Sequence, residues 1–221
     1  MGRILGKLLA PLDERFDVSN RVTTTLSART VPAHARRFWY CFGGLAFFTA
    51  VVQALSGIFL AFYYQPTPEN AYASVFYISN YVRYGWLIRS IHSWGGRLMV
   101  ALVVIHMIRV FVTASYKHPR ELNWIAGVLL FAVTMAFTVT GDLLSWDQQG
   151  YWSTSAALGF VRELPVAGKT IASLLLGGDK IGAPALTRFY VGHIMLLPAA
   201  MTMLLIAHFW MVRKQGISGP L

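Results

Sequence analysis

Apolar residues fall in four long runs along the chain, separated by polar, charged or proline-rich breaks. A helix that crosses a bilayer needs about 20 mainly apolar residues. Run A covers 38–64 and stops at Gln65-Pro66-Thr67-Pro68. Run B covers 86–115 and stops at "YKHPRE"; run C covers 124–144; run D covers 189–212 and passes into "RKQGISGPL". The stretch 145–187 is too polar and too rich in glycine to cross. Within it, "TSAALGFVRELPVAGKTIASLLL" has amphipathic spacing, which suits either helix along a membrane surface or an ordinary ordered connection. Long bundle connections are often functional or carry short helices of their own. The pattern predicts an all-α membrane protein, a bundle of four spanning helices over 38–221, behind a basic amphipathic segment over 1–37.

Composition agrees. Hydrophobic residues make up 56% of the 221, and charged residues only 13%, where soluble domains carry about 25%. The net charge of +10 does not imply nucleic acid, because the basic residues flank apolar runs instead of clustering with aromatics on a polar domain. Arg3, Lys7, Arg15, Arg21, Arg29, Arg36 and Arg37 precede run A, Lys117 and Arg120 lie between B and C, and Arg213 and Lys214 follow D. An even number of spans puts all of these, and both termini, on one side, assigned by the positive-inside bias to the n side. The first 37 residues are too polar for a signal peptide. A single cysteine, Cys41, excludes an internal disulfide and a cysteine-only metal cluster.

Six histidines change the picture from bundle to site. His34 and His118 stand beside prolines in polar segments and are expected at the surface. His92 and His106 lie in B, fourteen residues apart; His193 and His208 lie in D, fifteen apart. At about 1.5 Å and about 100° per residue, fourteen residues give roughly 21 Å of rise and return within about 40° of the starting face; fifteen give roughly 22 Å and about 60°. B and D both run from the p side to the n side, so His92 lies level with His193 and His106 with His208. One intramembrane histidine is explained equally well by a helix–helix hydrogen bond. Four at matched depths call for ligation, and neutral imidazole is a good axial ligand for haem iron. Zinc fits less well, since neither carboxylate nor thiol stands at the same depth.

Glycines point the same way. Gly43 and Gly57 in A, and Gly127 and Gly141 in C, repeat the fourteen-residue interval. A helix passing the edge of a flat porphyrin needs a position without a side chain, although small residues also serve helix packing in membranes. Arg89, Arg97, Arg109 and Arg213 flank the histidines and offer planar donors for propionates, or reach lipid phosphate instead.

The stretches "YCFGG", "FYYQPT", "GWLIRSIH", "HPRELNWIAGV", "VTGDLLSWDQQGYW", "LTRFYVGH" and "VRKQGISGPL" resemble the cytochrome b6 family, the N-terminal half of split cytochrome b in b6f-type complexes, over about 31–221. The resemblance implies a di-haem subunit of a quinol-oxidising complex, coupled to proton translocation. His92 and His193 would ligate the p-side, low-potential b haem, and His106 and His208 the n-side, high-potential one. The "YC-x-GG" cysteine, here Cys41, would hold a further c-type haem covalently. Implied partners are a subunit IV-type membrane protein, a Rieske iron–sulfur protein, a c-type cytochrome such as cytochrome f, quinone, and a second copy of the complex. The chain departs from the family's "GY-x-LPW" with Asp142 and Ser145, and has Thr24-Thr25 in place of an acidic pair. The family's p-side "PEWY" tetrad lies on a later segment. Two rivals are a di-haem anchor for a dehydrogenase or hydrogenase, and a transporter using histidines as a proton relay.

Overall fold

A computed structural model of the chain describes residues 37–178 and 180–216. The basic segment before Arg37, with His34 and Thr24-Thr25, lies outside the described residues, as do Asp179 and the "ISGPL" end. Among the described residues every regular element is helical. After a 3-10 turn at Phe38–Tyr40, α1 spans Phe42–Ala61 and α2 Ala71–Asn80. Next come α3 (Gly85–Val112), α4 (Glu121–Leu144), α5 (Gln148–Arg162), α6 (Gly168–Leu176) and α7 (Ala183–Val191). A π-helical turn at Gly192–Leu196 joins α7 to α8 (Leu197–Gln215).

Four helical stretches are long and apolar enough to cross a membrane: α1, α3, α4, and α7 through α8 as one unit, Ala183–Gln215. Their outward faces are apolar, with Phe48, Leu55, Phe111, Val112, Met203 and Ile206 all exposed. Such faces are stable against hydrocarbon and costly against water. Hydroxyls within the spans donate to their own helix one turn back: Thr49 to Leu45 O, Thr134 to Leu130 O and Thr202 to Pro198 O, each at 2.8 Å. That removes the cost of an unpaired donor in lipid.

The bundle pairs α1 with α3 and α4 with α8. Between α3 and α8 the backbones make no comparably broad contact, which leaves their facing side chains room. The turn from α3 to α4 is tied to the end of α8, where Arg120 Nη2 donates to Gln215 O at 3.2 Å and Gln215 Nε2 to Pro119 O at 3.1 Å.

The two connections at the other end are more ordered than their polarity predicts. The A–B connection forms α2, with Ala71, Ser74 and Ile78 buried against α3. The C–D connection forms α5 and α6, whose Leu158, Ala172 and Leu176 pack with Leu143, Ala185 and Phe189 in one buried cluster. The connection thus carries short helices of its own, and their apolar face closes on the ends of α4 and α7. Asp147 caps α5, accepting from Gly150 N at 2.8 Å. Gly150 is required where it stands, because a Cβ there would sit 2.2 Å from the Asp142 carbonyl oxygen.

Candidate functional site

The four intramembrane histidines form two pairs between α3 and the α7–α8 span. The His92 and His193 ring centroids are 6.2 Å apart with their planes at 67°. His106 and His208 are the second pair, close enough to interact electrostatically. Each of the four rings is half-buried. His118 is a surface residue, as expected, 3.4 Å from Glu121.

The fifteen-residue interval in D has a local explanation. In an unbroken α-helix it would turn His208 about 60° from the His193 face. The π-turn contains His193, and a single π-turn takes up one extra residue in an otherwise α-helical run. Fifteen residues then count as fourteen, and D matches the angular offset of B. Pro198 lies just beyond this turn. It has no N–H to give to the Ile194 carbonyl and its ring would crowd that group in an α-helix, so the wider turn relieves both problems.

The four glycines face the histidines. A Cβ on Gly57 would meet His92 Cε1 at 3.1 Å, on Gly141 His193 Cε1 at 2.9 Å, on Gly43 His106 Cε1 at 3.0 Å, and on Gly127 His208 Cε1 at 3.8 Å. A side chain at any of these positions would approach an imidazole ring. Each glycine lets the Cε1 edge of a ring lie against the neighbouring helix.

At one level each ring meets a hydroxyl. Ser56 Oγ lies 2.9 Å from His92 Nδ1 and 2.7 Å from Val52 O. Thr140 Oγ1 lies 3.0 Å from His193 Nδ1 and 2.7 Å from Ala136 O. A hydroxyl has one proton, so when that proton goes to the helix carbonyl, the oxygen can only accept from a ring protonated on Nδ1. In that tautomer the lone pair is on Nε2. At the other level the Nδ1 atoms of His106 and His208 are buried without a hydrogen-bond partner. Ser56 and Thr140 escaped notice in the sequence, although each immediately precedes a site glycine.

The His92–His193 ring separation of 6.2 Å is that of two imidazoles sharing one metal. Two metal–nitrogen bonds of about 2.0–2.1 Å, with roughly 1 Å from each nitrogen to its ring centre, give about 6 Å between centroids. Among the described residues, no group of three or more His, Cys, Asp and Glu side chains could hold a metal ion. An ion with only two protein ligands needs its remaining donors from a prosthetic group, as haem provides.

The flanking residues differ in their surroundings. Arg109 is half-buried, its guanidinium 4.6 Å from the Tyr40 ring centre and its buried Nε without a hydrogen-bond partner. Arg97 is exposed beside Trp94, 5.0 Å from the ring centre. Arg89 is exposed and reaches Ser79 Oγ at 3.4 Å. Arg213 is exposed near the end of α8. Cys41 is exposed at the start of α1, its thiol donating to Phe38 O at 2.8 Å; two residues on, Gly43 places it at the His106–His208 end. Asp142 accepts from Ser153 Oγ of α5 at 3.2 Å. Buried beside Tyr190, the Tyr64 phenol is pushed well above its ordinary range, burial being the larger cause.

Fold and site together define a four-span helical membrane protein with two histidine pairs suited to bis-imidazole haem ligation. The sequence profile of the family described as Cytochrome b/b6/petB matches residues 26–216. The chain is 46% identical to cytochrome b6 of Heliomicrobium gestii over 210 residues, 95% of this chain and 99% of that one. It is 43% identical to cytochrome b6 of Gracilaria tenuistipitata var. liui over 217 residues, covering 98% and 100%. A chain of the solved structure titled "Hyperthermophilic respiratory Complex III" superposes with a TM-score of 0.80 at 30% identity, over 96% of this chain and 56% of that one. The chain belongs to the cytochrome b/b6 family.

Proposed function

We propose that this chain is the di-haem b-type subunit of a quinol-oxidising bc/b6f-type complex. It carries electrons between quinol oxidation on the p side and quinone reduction on the n side, coupled to proton translocation. One observation supports this most: two level histidine pairs between α3 and the last span, each ring lodged against a glycine of α1 or α4. When bound, two b haems supply reversible one-electron chemistry. The four histidines would supply the nitrogens that hold the haems, Ser56 and Thr140 would favour the Nδ1-protonated form of His92 and His193, and Gly43, Gly57, Gly127 and Gly141 leave room for the ring edges.

Arg109 would meet a propionate at the n-side level, where its buried Nε needs an acceptor. Arg89, Arg97 and Arg213 would serve as further cations at the two surfaces. Cys41 would hold a c-type haem through one thioether, beside the His106–His208 pair. The basic residues at the α3–α4 turn and in the last turn of α8 favour both termini on the n side, by the positive-inside bias. The subunit would work in a dimeric complex with a subunit IV-type protein, a Rieske protein, a c-type cytochrome and quinone. A role as the di-haem anchor of a dehydrogenase or hydrogenase would need the same ligand pairs, but family membership favours the bc/b6f assignment.

A dithionite-reduced minus oxidised spectrum of the purified protein tests the haem assignment. A b-type α band is expected, and its absence would overturn it. After denaturing electrophoresis, haem peroxidase stain is expected to stay with the chain and to vanish in C41A. Stain that runs free of the unmodified chain refutes the covalent haem alone.

A further inference from the structure

The two histidine levels differ in one respect that their common ligand set does not explain. At the His92–His193 level a hydroxyl oxygen lies within hydrogen-bond distance of each Nδ1, that of Ser56 at 2.9 Å and that of Thr140 at 3.0 Å. At the His106–His208 level neither Nδ1 closes a hydrogen bond. The difference lies in the residue immediately before the glycine that faces the ring. It is Ser56 before Gly57 and Thr140 before Gly141, but Phe42 before Gly43 and Ala126 before Gly127.

Both hydroxyls are poised to accept rather than donate, since each spends its single proton on a carbonyl of its own helix, Val52 or Ala136. An imidazole whose Nδ1–H is donated outward carries more electron density at Nε2 and is a more basic ligand. A more basic axial ligand stabilises the oxidised, more positively charged iron over the reduced one. No proton has to move: one electron is gained or lost, and the Nδ1–H stays between ring and hydroxyl.

Resting on the haem assignment above, we infer that Ser56 and Thr140 are positioning residues that lower the reduction potential at the His92–His193 level relative to the His106–His208 level. The fold thus builds part of the potential difference between its two redox sites from two hydroxyls placed on the helices that do not carry the ligands.

Potentiometric titration of the whole complex, followed at the two b-type α bands, tests this, with variants S56A, T140V, T140S and A126S. S56A and T140V are each expected to favour reduction at the His92–His193 level by up to about tenfold, about 59 mV for one electron, leaving the other level unmoved. T140S keeps the hydroxyl and is expected to titrate like the unmodified protein. A126S places a hydroxyl before Gly127 and is expected to lower the potential at the His106–His208 level. Unchanged potentials in S56A and T140V with both haems bound would overturn the inference, as would an equal shift at both levels or a T140S shift as large as that of T140V. Should S56A or T140V fail to hold haem, A126S decides alone: a fall supports the inference, and no change overturns it. A b-type band missing from the unmodified complex refutes the haem assignment instead.

Discussion

Alanine placed in turn at the four site glycines tests the fit of ring against helix. Ordinary contact between a Cβ and a neighbouring heavy atom begins near 3.4 Å. At Gly141 the nearest imidazole carbon would stand at 2.9 Å, at Gly43 at 3.0 Å, at Gly57 at 3.1 Å, and at Gly127 at 3.8 Å. The first three rings must therefore move by about 0.5, 0.4 and 0.3 Å, and the fourth need not move. Overpacking of this kind costs about 1–3 kcal/mol. Against it stands the gain of about 1 kcal/mol from replacing a helical glycine by alanine. G127A should thus be neutral or slightly stabilising, and G141A the most harmful. If the strain falls on haem binding, 1–3 kcal/mol corresponds to a loss of roughly 5- to 150-fold in affinity. The assay is b haem per chain from the difference spectrum, with the thermal midpoint of the detergent-solubilised protein beside it. The expected order of haem loss is G141A, then G43A, then G57A, with G127A retaining full content. The reasoning is refuted if G127A loses as much haem as G141A, or if G141A keeps full haem and the original midpoint.

Other outcomes follow from the same geometry. Deleting Met195 together with P198A should restore an unbroken α-helix with fourteen residues between the D-span histidines, and both b-type signals should survive; loss of the His193-dependent signal would contradict the π-turn's role as an absorbed residue. R109Q should weaken haem retention selectively at the His106–His208 level, read from the amplitude of that component in a redox titration, and an equal loss at both levels would argue against an anion partner there. L158A should lower stability by about 2–5 kcal/mol, because Leu158 is 3% exposed in the cluster that seats α5 and α6; the thermal midpoint checks it, with haem content expected to hold.

Much of this arrangement was legible because membrane solvent makes a simple demand. A backbone in hydrocarbon must bond internally, so long apolar runs announce helices, and an imidazole among them announces a partner. Helical periodicity then set the depth and face of His92 against His106 without further knowledge. The same arithmetic placed His193 and His208 about 60° apart, and here it fell short: periodicity assumes an unbroken α-helix, and nothing in "GHIMLLP" states that the turn widens. Pro198 was the available signal, since a proline inside a span has to be accommodated somewhere upstream. In the polar stretch 145–187 the amphipathic spacing points to helix or ordered connection but does not name what the apolar face packs on: its residues pack on one another, with Leu143 and Phe189 at the span ends closing the cluster.

A Cβ at any of the four site glycines would approach an imidazole ring, which gives meaning to the neighbouring residue. A helix that lets a ring approach at one position also offers that ring whatever the adjacent side chain carries: a hydroxyl at Ser56 and Thr140, hydrocarbon at Phe42 and Ala126. Two dipeptides, Ser56-Gly57 and Thr140-Gly141, thus separate one site from the other in a bundle whose ligands are otherwise alike. Under the haem reading of the two pairs, the helices without histidines are where this chain would set one site apart from the other in potential.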